Sequence, residues 1–287
     1  MGKRLRGETM AALTMVAPAA LWLFVFVAVP LVYVLALSFC GQDEFGNAVF
    51  EFTTKNYANL FNADYLQIYL RSVLIAGATT VLCVAVGYPF AYIIARTSSR
   101  HKSVFYMLVV IPFWTNSLVR VYGWKTFFSG TGWLSSALVG LGLIDAPLDL
   151  LYTTPMTVFG MVYCLFPYMV LPLYSAIEKL DGSLIEASAD LGARRSETFL
   201  RVILPLTSSG IFSGSIMVFI PCLGYFFVSD ILGGGNADMI GNLIERQFQS
   251  ANNWPLGAAL SIVLILVTIV LVRAYQRMGG DMDALGV

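Results

Sequence analysis

The sequence predicts an all-α membrane protein with six transmembrane helices. Three observations carry that expectation. Mean hydropathy is +0.77, and only 12% of the 287 residues are charged, about half the share of a soluble domain. Six apolar stretches reach, or nearly reach, the roughly 20 residues that cross about 30 Å of hydrocarbon at 1.5 Å per residue. Lys and Arg gather in alternate connecting segments, as they do on the cytoplasmic side of a membrane.

The first span is expected over residues 11–39, behind Lys3, Arg4 and Arg6. Its apolar run is too long for a signal-peptide core and no clear cleavage site follows, so it reads as an uncleaved anchor. An outer segment, 40–71, holds a small ordered loop near 52–57. The second span is 72–95. In the inner connection 96–103, His101 lies among Arg96, Arg100 and Lys102, which suits a solvated residue rather than a ligand or base. The third span is 104–122. The outer segment 123–155 contains an apolar piece, 133–144, too short to span and suited to a helix at the outer interface. The fourth span, 156–177, leads into a charged inner loop, 178–206. The fifth span, 207–228, the outer segment 229–255 and the sixth span, 256–275, complete the chain. No repeat or linker marks a boundary, so residues 1–287 read as one domain.

Twelve of the 17 Lys plus Arg fall on one side: Lys3, Arg4, Arg6, Arg96, Arg100, Lys102, Lys179, Arg194, Arg195, Arg201, Arg273 and Arg277. Both termini and the 178–206 loop are therefore expected in the cytoplasm. The outer side carries nine acids (Asp43, Glu44, Glu51, Asp64, Asp145, Asp149, Asp230, Asp238 and Glu245) against five bases. Attraction of cations and exclusion of Lys and Arg from that side explain this equally well. Net charge is zero, so nothing draws nucleic acid. The four cysteines lack metal or redox spacing and read as small buried hydrophobes.

The inner loop has its own logic. Ser183 and Glu186 have capping-box spacing. A helix from about Leu184 places Leu184, Ala187, Ser188 and Leu191 on one narrow face. Gly192 permits a bend, Arg194, Arg195, Glu197 and Arg201 suit a wet second half, and Pro205 ends the pattern. Helix, bend and stop make a rigid knob. Residues 186–205, E-A-S-A-D-L-G-A-R-R-S-E-T-F-L-R-V-I-L-P, resemble the EAA loop of ABC importer permeases at Glu186, Ala187, Gly192, Leu204 and Pro205, with Ser188 and Val202 as mild departures.

The resemblance implies a type I importer permease fold with a cytoplasmic coupling helix in a bacterial inner membrane. It implies that the knob seats in a homodimer of ATP-binding subunits, beside a second homologous permease. The chain has no G-x-x-x-x-G-K-[ST] loop, so ATP and Mg belong to the partner subunits. Residues 111–124 (I-P-F-W-T-N-S-L-V-R-V-Y-G-W), 171–181 and 227–234 resemble the B-type permeases of spermidine/putrescine importers. That likeness implies a polyamine substrate and a periplasmic polyamine-binding protein as a further partner.

A polyamine needs carboxylates or aromatic faces for its ammonium groups. The fifth span ends Gly224-Tyr225-Phe226-Phe227-Val228-Ser229-Asp230. On a regular helix Phe226 and Asp230, or Phe227 and Asp230, share a face. Asp230 could instead cap the turn at 233–235. In the third span, a regular helix puts Trp114 with Ser117 on one face and Asn116 with Arg120 on another; all four can meet only if Pro112 distorts it. Trp114 with Ser117 is the face expected toward the pathway. Arg120 is expected near the outer interface, paired with an acid or snorkelling. Prolines 89, 112, 167, 172 and 221 interrupt spans, as in moving or static bundles alike. The rival readings are a type I ABC permease for another small solute, such as an organic cation or amino-acid derivative, and, from another class, a secondary transporter or channel independent of ATP. A membrane enzyme lacks any nucleophile–base pair or metal cluster to support it.

Overall fold

A computed structural model describes residues 16–43, 46–97, 99–148 and 150–277, with residues 99–101, 103 and 106 described by backbone alone. Ala11 to Met15 of the first span, the basic N-terminus, Glu44, Asp149 and the His101 side chain fall outside the described residues. Contacts divide the chain into two units. One combines the residues up to Asn62 with Ile244–Leu266, and the other combines Ala63–Leu243 with the residues after Leu266.

In the first unit α1, Val16–Ser38, is long and apolar enough to cross a membrane. Its side chains face outward almost throughout, Trp22 and Phe24 among them. Asn56 holds its C-terminal end by donating to the carbonyls of Ser38 and Cys40, at 3.1 and 2.9 Å. A two-residue hairpin follows, β1 (Gly41–Gln42) against β2 (Ala48–Val49), and then the short α2, Lys55–Asn59. Phe39 packs on Phe52 and Tyr57, which accounts for the order expected there. A small core joins Leu37, Cys40 and Ala258.

The second unit opens with α3, Ala63–Arg96, which begins nine residues before the expected second span. At about 1.5 Å per residue it extends well past the hydrocarbon. Next come α4, Ser99–Val110, α5, Ser117–Phe128, and α6, Trp133–Gly140. The central helix is α7, Thr154–Glu178. Thr153 caps it, its hydroxyl accepting from the Met156 N–H, and Pro155 sits in the first turn, where its missing N–H costs nothing. Met161, Leu165, Met169 and Leu173 are all fully buried. Within hydrocarbon, burial of apolar area drives little, and close packing of small residues must hold helices together. Gly210 and Gly214 supply it: a Cβ at Gly214 would lie 2.7 Å from the Met169 sulfur, and one at Gly210 would lie 2.9 Å from the Pro172 carbonyl.

The inner loop forms α8, Gly182–Asp190, and α9, Arg195–Leu206, which bends 63° into α10, Ser208–Gly224. A short irregular helix, α11 (226–233), follows. Then come α12, Ile240–Gln249, and α13, Trp254–Arg277. Among the described residues four helices are long and apolar enough to span, and a fifth counts if the bent pair is one span. The expected third span is not one helix. It is divided between α4 and α5, with residues 111–114 in a 3-10 turn and Thr115 extended. All four cysteines are buried and free, as expected.

Candidate functional site

The break in the third span organises the first candidate site. Pro112 has no N–H to continue the helix. Thr115 turns back on the Pro112 carbonyl with its hydroxyl, at 2.7 Å. Asn116 then restarts the chain as the N-cap of α5, its side-chain oxygen accepting from the Leu118 N–H at 2.8 Å. Non-helical backbone at membrane depth is tolerated only inside protein or along a polar cavity. The break borders a pocket open to the surface, with Trp114 85% exposed. This pocket of about 410 Å³ is lined by Phe113, Trp114, Thr115, Asn116, Ser117 and Arg120, with Cys164 and Tyr168 of α7 and Tyr225 opposite.

This corrects the face assignment expected from a regular helix. Trp114, Ser117, Asn116 and Arg120 line one pocket because the chain is extended between Trp114 and Ser117. Tyr225 joins them because α10 ends at Gly224, leaving Tyr225 as a non-helical joint with φ −80° and ψ 56°. Phe226, Phe227 and Asp230 are not on the pocket wall. Residues 229–233 form a π turn. Asp230 instead accepts a 2.6 Å bond from the Asn242 amide.

Asn242 has no mark of importance in the sequence, yet it is almost fully buried. Its amide also donates to the Phe226 carbonyl at 3.0 Å, and its oxygen accepts from the Met239 N–H at 3.0 Å. It thus fastens the broken end of the fifth span to α12. Arg120 lacks the acidic partner expected for it: among the described residues it forms no ion pair. Its guanidinium lies over Phe113 and Tyr163 instead, at 5.5 and 5.4 Å.

The second candidate site is the inner loop. The N-cap of α8 is Asp181, not Ser183: the Asp181 carboxylate accepts from the Ser183 N–H at 2.9 Å. That hydrogen bond holds the Asp181 carboxyl below the usual carboxylate range. Leu184, Ala187 and Leu191 are exposed on one side of α8, Leu191 at 88%. Ser188, from the same expected face, turns inward to the Thr198 hydroxyl at 2.8 Å and ties α8 to α9. Glu186 is exposed.

Gly192 makes the bend, with φ +81°. The Ala193 N–H returns to Ser188 at 3.1 Å and the Gly192 N–H to Ala189 at 2.9 Å. This is a Schellman closure, in which the left-handed position favours glycine. Arg194 starts α9, its N–H donating to Glu197 at 2.9 Å. Leu204 and Pro205 close α9 after a π turn over Phe199–Ile203. At the bend beyond them Thr207 is fully buried, and the Tyr88 hydroxyl of α3 meets its hydroxyl at 2.8 Å. Two hydroxyl pairs, Ser188 with Thr198 and Tyr88 with Thr207, thus join α8 to α9 and α3 to the bend before α10. Tyr88 and Thr207 carry no sequence signature of this contact, because a hydroxyl pair 119 residues apart exists only in the fold.

Comparison with known proteins completes the picture. Residues 87–282 match the family model described as binding-protein-dependent transport system inner membrane component. The chain is 44% identical over 256 residues to the spermidine/putrescine transport system permease protein PotB of Haemophilus influenzae, covering 89% of this chain and 90% of that protein. It is 42% identical to PotB of Escherichia coli K12, covering 89% and 93%. Among solved structures, a bacterial ABC transporter involved in import of alginate matches with a TM-score of 0.77 at 18% identity, over 96% of each chain. Fold and sequence agree, and the chain is a multi-pass membrane protein of the binding-protein-dependent transport system inner membrane component family.

Proposed function

We propose that this chain is the membrane-spanning permease subunit of an ATP-driven importer that moves polyamines, spermidine or putrescine, across a bacterial inner membrane by alternating access. The observation that carries the reading is the 44% identity, over nearly the whole length, to a protein named for spermidine/putrescine transport. ATP and Mg bind a homodimer of partner subunits. The exposed ridge of Leu184, Ala187 and Leu191, braced by Ser188 and bent at Gly192, suits a rigid contact with that partner. Glu186, Leu204 and Pro205 belong to the same knob. A second homologous permease and a periplasmic polyamine-binding protein complete the assembly, and both termini lie in the cytoplasm.

The pocket of Trp114, Asn116, Ser117 and Tyr225 is the solute path within this chain. Aromatic faces attract ammonium groups, and the side-chain oxygens of Asn116 and Ser117 can accept their N–H bonds. Among the described residues no carboxylate lines it, so within this chain the aromatic faces and side-chain oxygens are the groups offered to the ammonium groups. The test is uptake of radiolabelled spermidine, putrescine and an unrelated sugar by proteoliposomes holding the complete importer, with and without ATP. ATP-dependent uptake of a polyamine and not of the sugar is expected. Sugar uptake with no polyamine uptake overturns the substrate assignment.

A further inference from the structure

Arg120 is out of place in a path for cations. Among the described residues it is the one charged side chain on the pocket wall. Its Nε is sealed from solvent and has no hydrogen-bond partner. Its guanidinium sits against the rings of Phe113 and Tyr163, at 5.5 and 5.4 Å from their centroids. The same side chain borders an adjoining apolar cavity of about 340 Å³, so it stands between a polar and an apolar space. Ring faces within about 6 Å are where an ammonium group gains most from an aromatic surface. Here a guanidinium already covers them, and arginine cannot shed its charge to leave.

We propose that Arg120 is a specificity-determining residue that acts as a resident cation. It fills the Phe113–Tyr163 slot, and its fixed charge limits how much positive charge the pocket admits. The inference rests on reading this pocket as part of the solute path. Coulomb repulsion scales with the product of the charges. A fixed positive charge therefore discriminates against a trication more than a dication, and against a dication more than a monocation. An Arg120 that only packs between two rings, remote from the bound solute, would impose no such order.

The experiment titrates the membrane complex of both permeases and the ATP-binding subunits in nanodiscs, with the binding protein left out, by calorimetry. The probes are tetramethylammonium (one charge), putrescine (two) and spermidine (three). Arg120→Gln removes the charge and Arg120→Lys keeps it; Arg120→Met serves as a second neutral variant should the glutamine variant fold poorly. The neutral variants are expected to bind more tightly, from about threefold for the monocation to more than about tenfold for spermidine. Arg120→Lys should stay within about twofold of wild type for all three. An equal change for every probe, no gain in either neutral variant, or the same loss in the lysine and neutral variants overturns the proposal. If wild-type importer moves neither polyamine while the neutral variants still gain affinity in order of charge, the polyamine reading falls and the role of Arg120 stands.

Discussion

Gly192→Val isolates the backbone contribution to the inner knob. Gly192 holds φ +81°, and a Cβ there would meet nothing within 4 Å. Within this chain, any effect of a side chain therefore comes from conformation and not from a clash. An L-residue in the left-handed region costs about 1–2 kcal/mol, with β-branched residues at the upper end. At about 1.4 kcal/mol per factor of ten, 2 kcal/mol lowers the population of the bent loop relative to its alternatives by roughly thirtyfold. Asparagine tolerates the same region well, so Gly192→Asn should cost only a few tenths of that. We predict that ATP-driven uptake in proteoliposomes falls by up to about thirtyfold in Gly192→Val and by less than about twofold in Gly192→Asn. The amount of protein in the membrane should be unchanged in both. Wild-type uptake by Gly192→Val refutes the reasoning, and so does equal damage by both variants, which would point to bulk at the partner surface.

Three further outcomes follow from named contacts. Asn242→Leu leaves the Phe226 carbonyl and the Met239 N–H without their partner, at about 1–3 kcal/mol for each buried group; thermal unfolding in detergent should show a clear drop in midpoint, while Asp230→Asn, whose site can still accept from Asn242, should not. Gly214→Leu forces α10 away from Met169, with overpacking of about 1–3 kcal/mol or more, and should reduce the folded fraction seen by size-exclusion chromatography. The Asp181 cap contributes at any pH above the ordinary carboxylate range and is lost as pH falls through its lowered value. Hydrogen exchange at Ser183 should therefore be faster in Asp181→Ala than in wild type at neutral pH, and the two should converge in acid.

How much of this is legible in the sequence follows from the range of each interaction. Hydropathy reports residues one turn apart, so the helices 154–178 and 254–277 lie within two residues of expectation at each end. The knob at 182–206 is legible for the same reason: its helix, glycine bend and proline stop are local. Its cap lies two residues from the expected one, because Asp181 and Ser183 are both good caps and only the fold decides between them. The third span departs from expectation because hydropathy does not register a break that leaves composition apolar. Pro112 marks where a distortion can occur, but a proline alone does not specify an extended Thr115 or a cap at Asn116. Local pattern does not show that the helix ends at Gly224 and turns at Tyr225, which leaves Tyr225 and not Phe226 or Asp230 on the pocket wall. The tie of Asn242 to Asp230 joins two elements whose relative placement only the fold decides, so it leaves no local signal.

The central claim is that the apolar ridge of α8 is where an ATP-binding partner pushes. Leu191 is 88% exposed, and the four native cysteines are buried. In a Leu191→Cys variant the introduced thiol should react first with maleimide. Its labelling rate in membranes, with and without the ATP-binding subunits, tests the claim directly. We predict that the subunits slow labelling at this position by at least about tenfold, as burial in a specific interface would. An unchanged rate with the subunits bound would contradict the account.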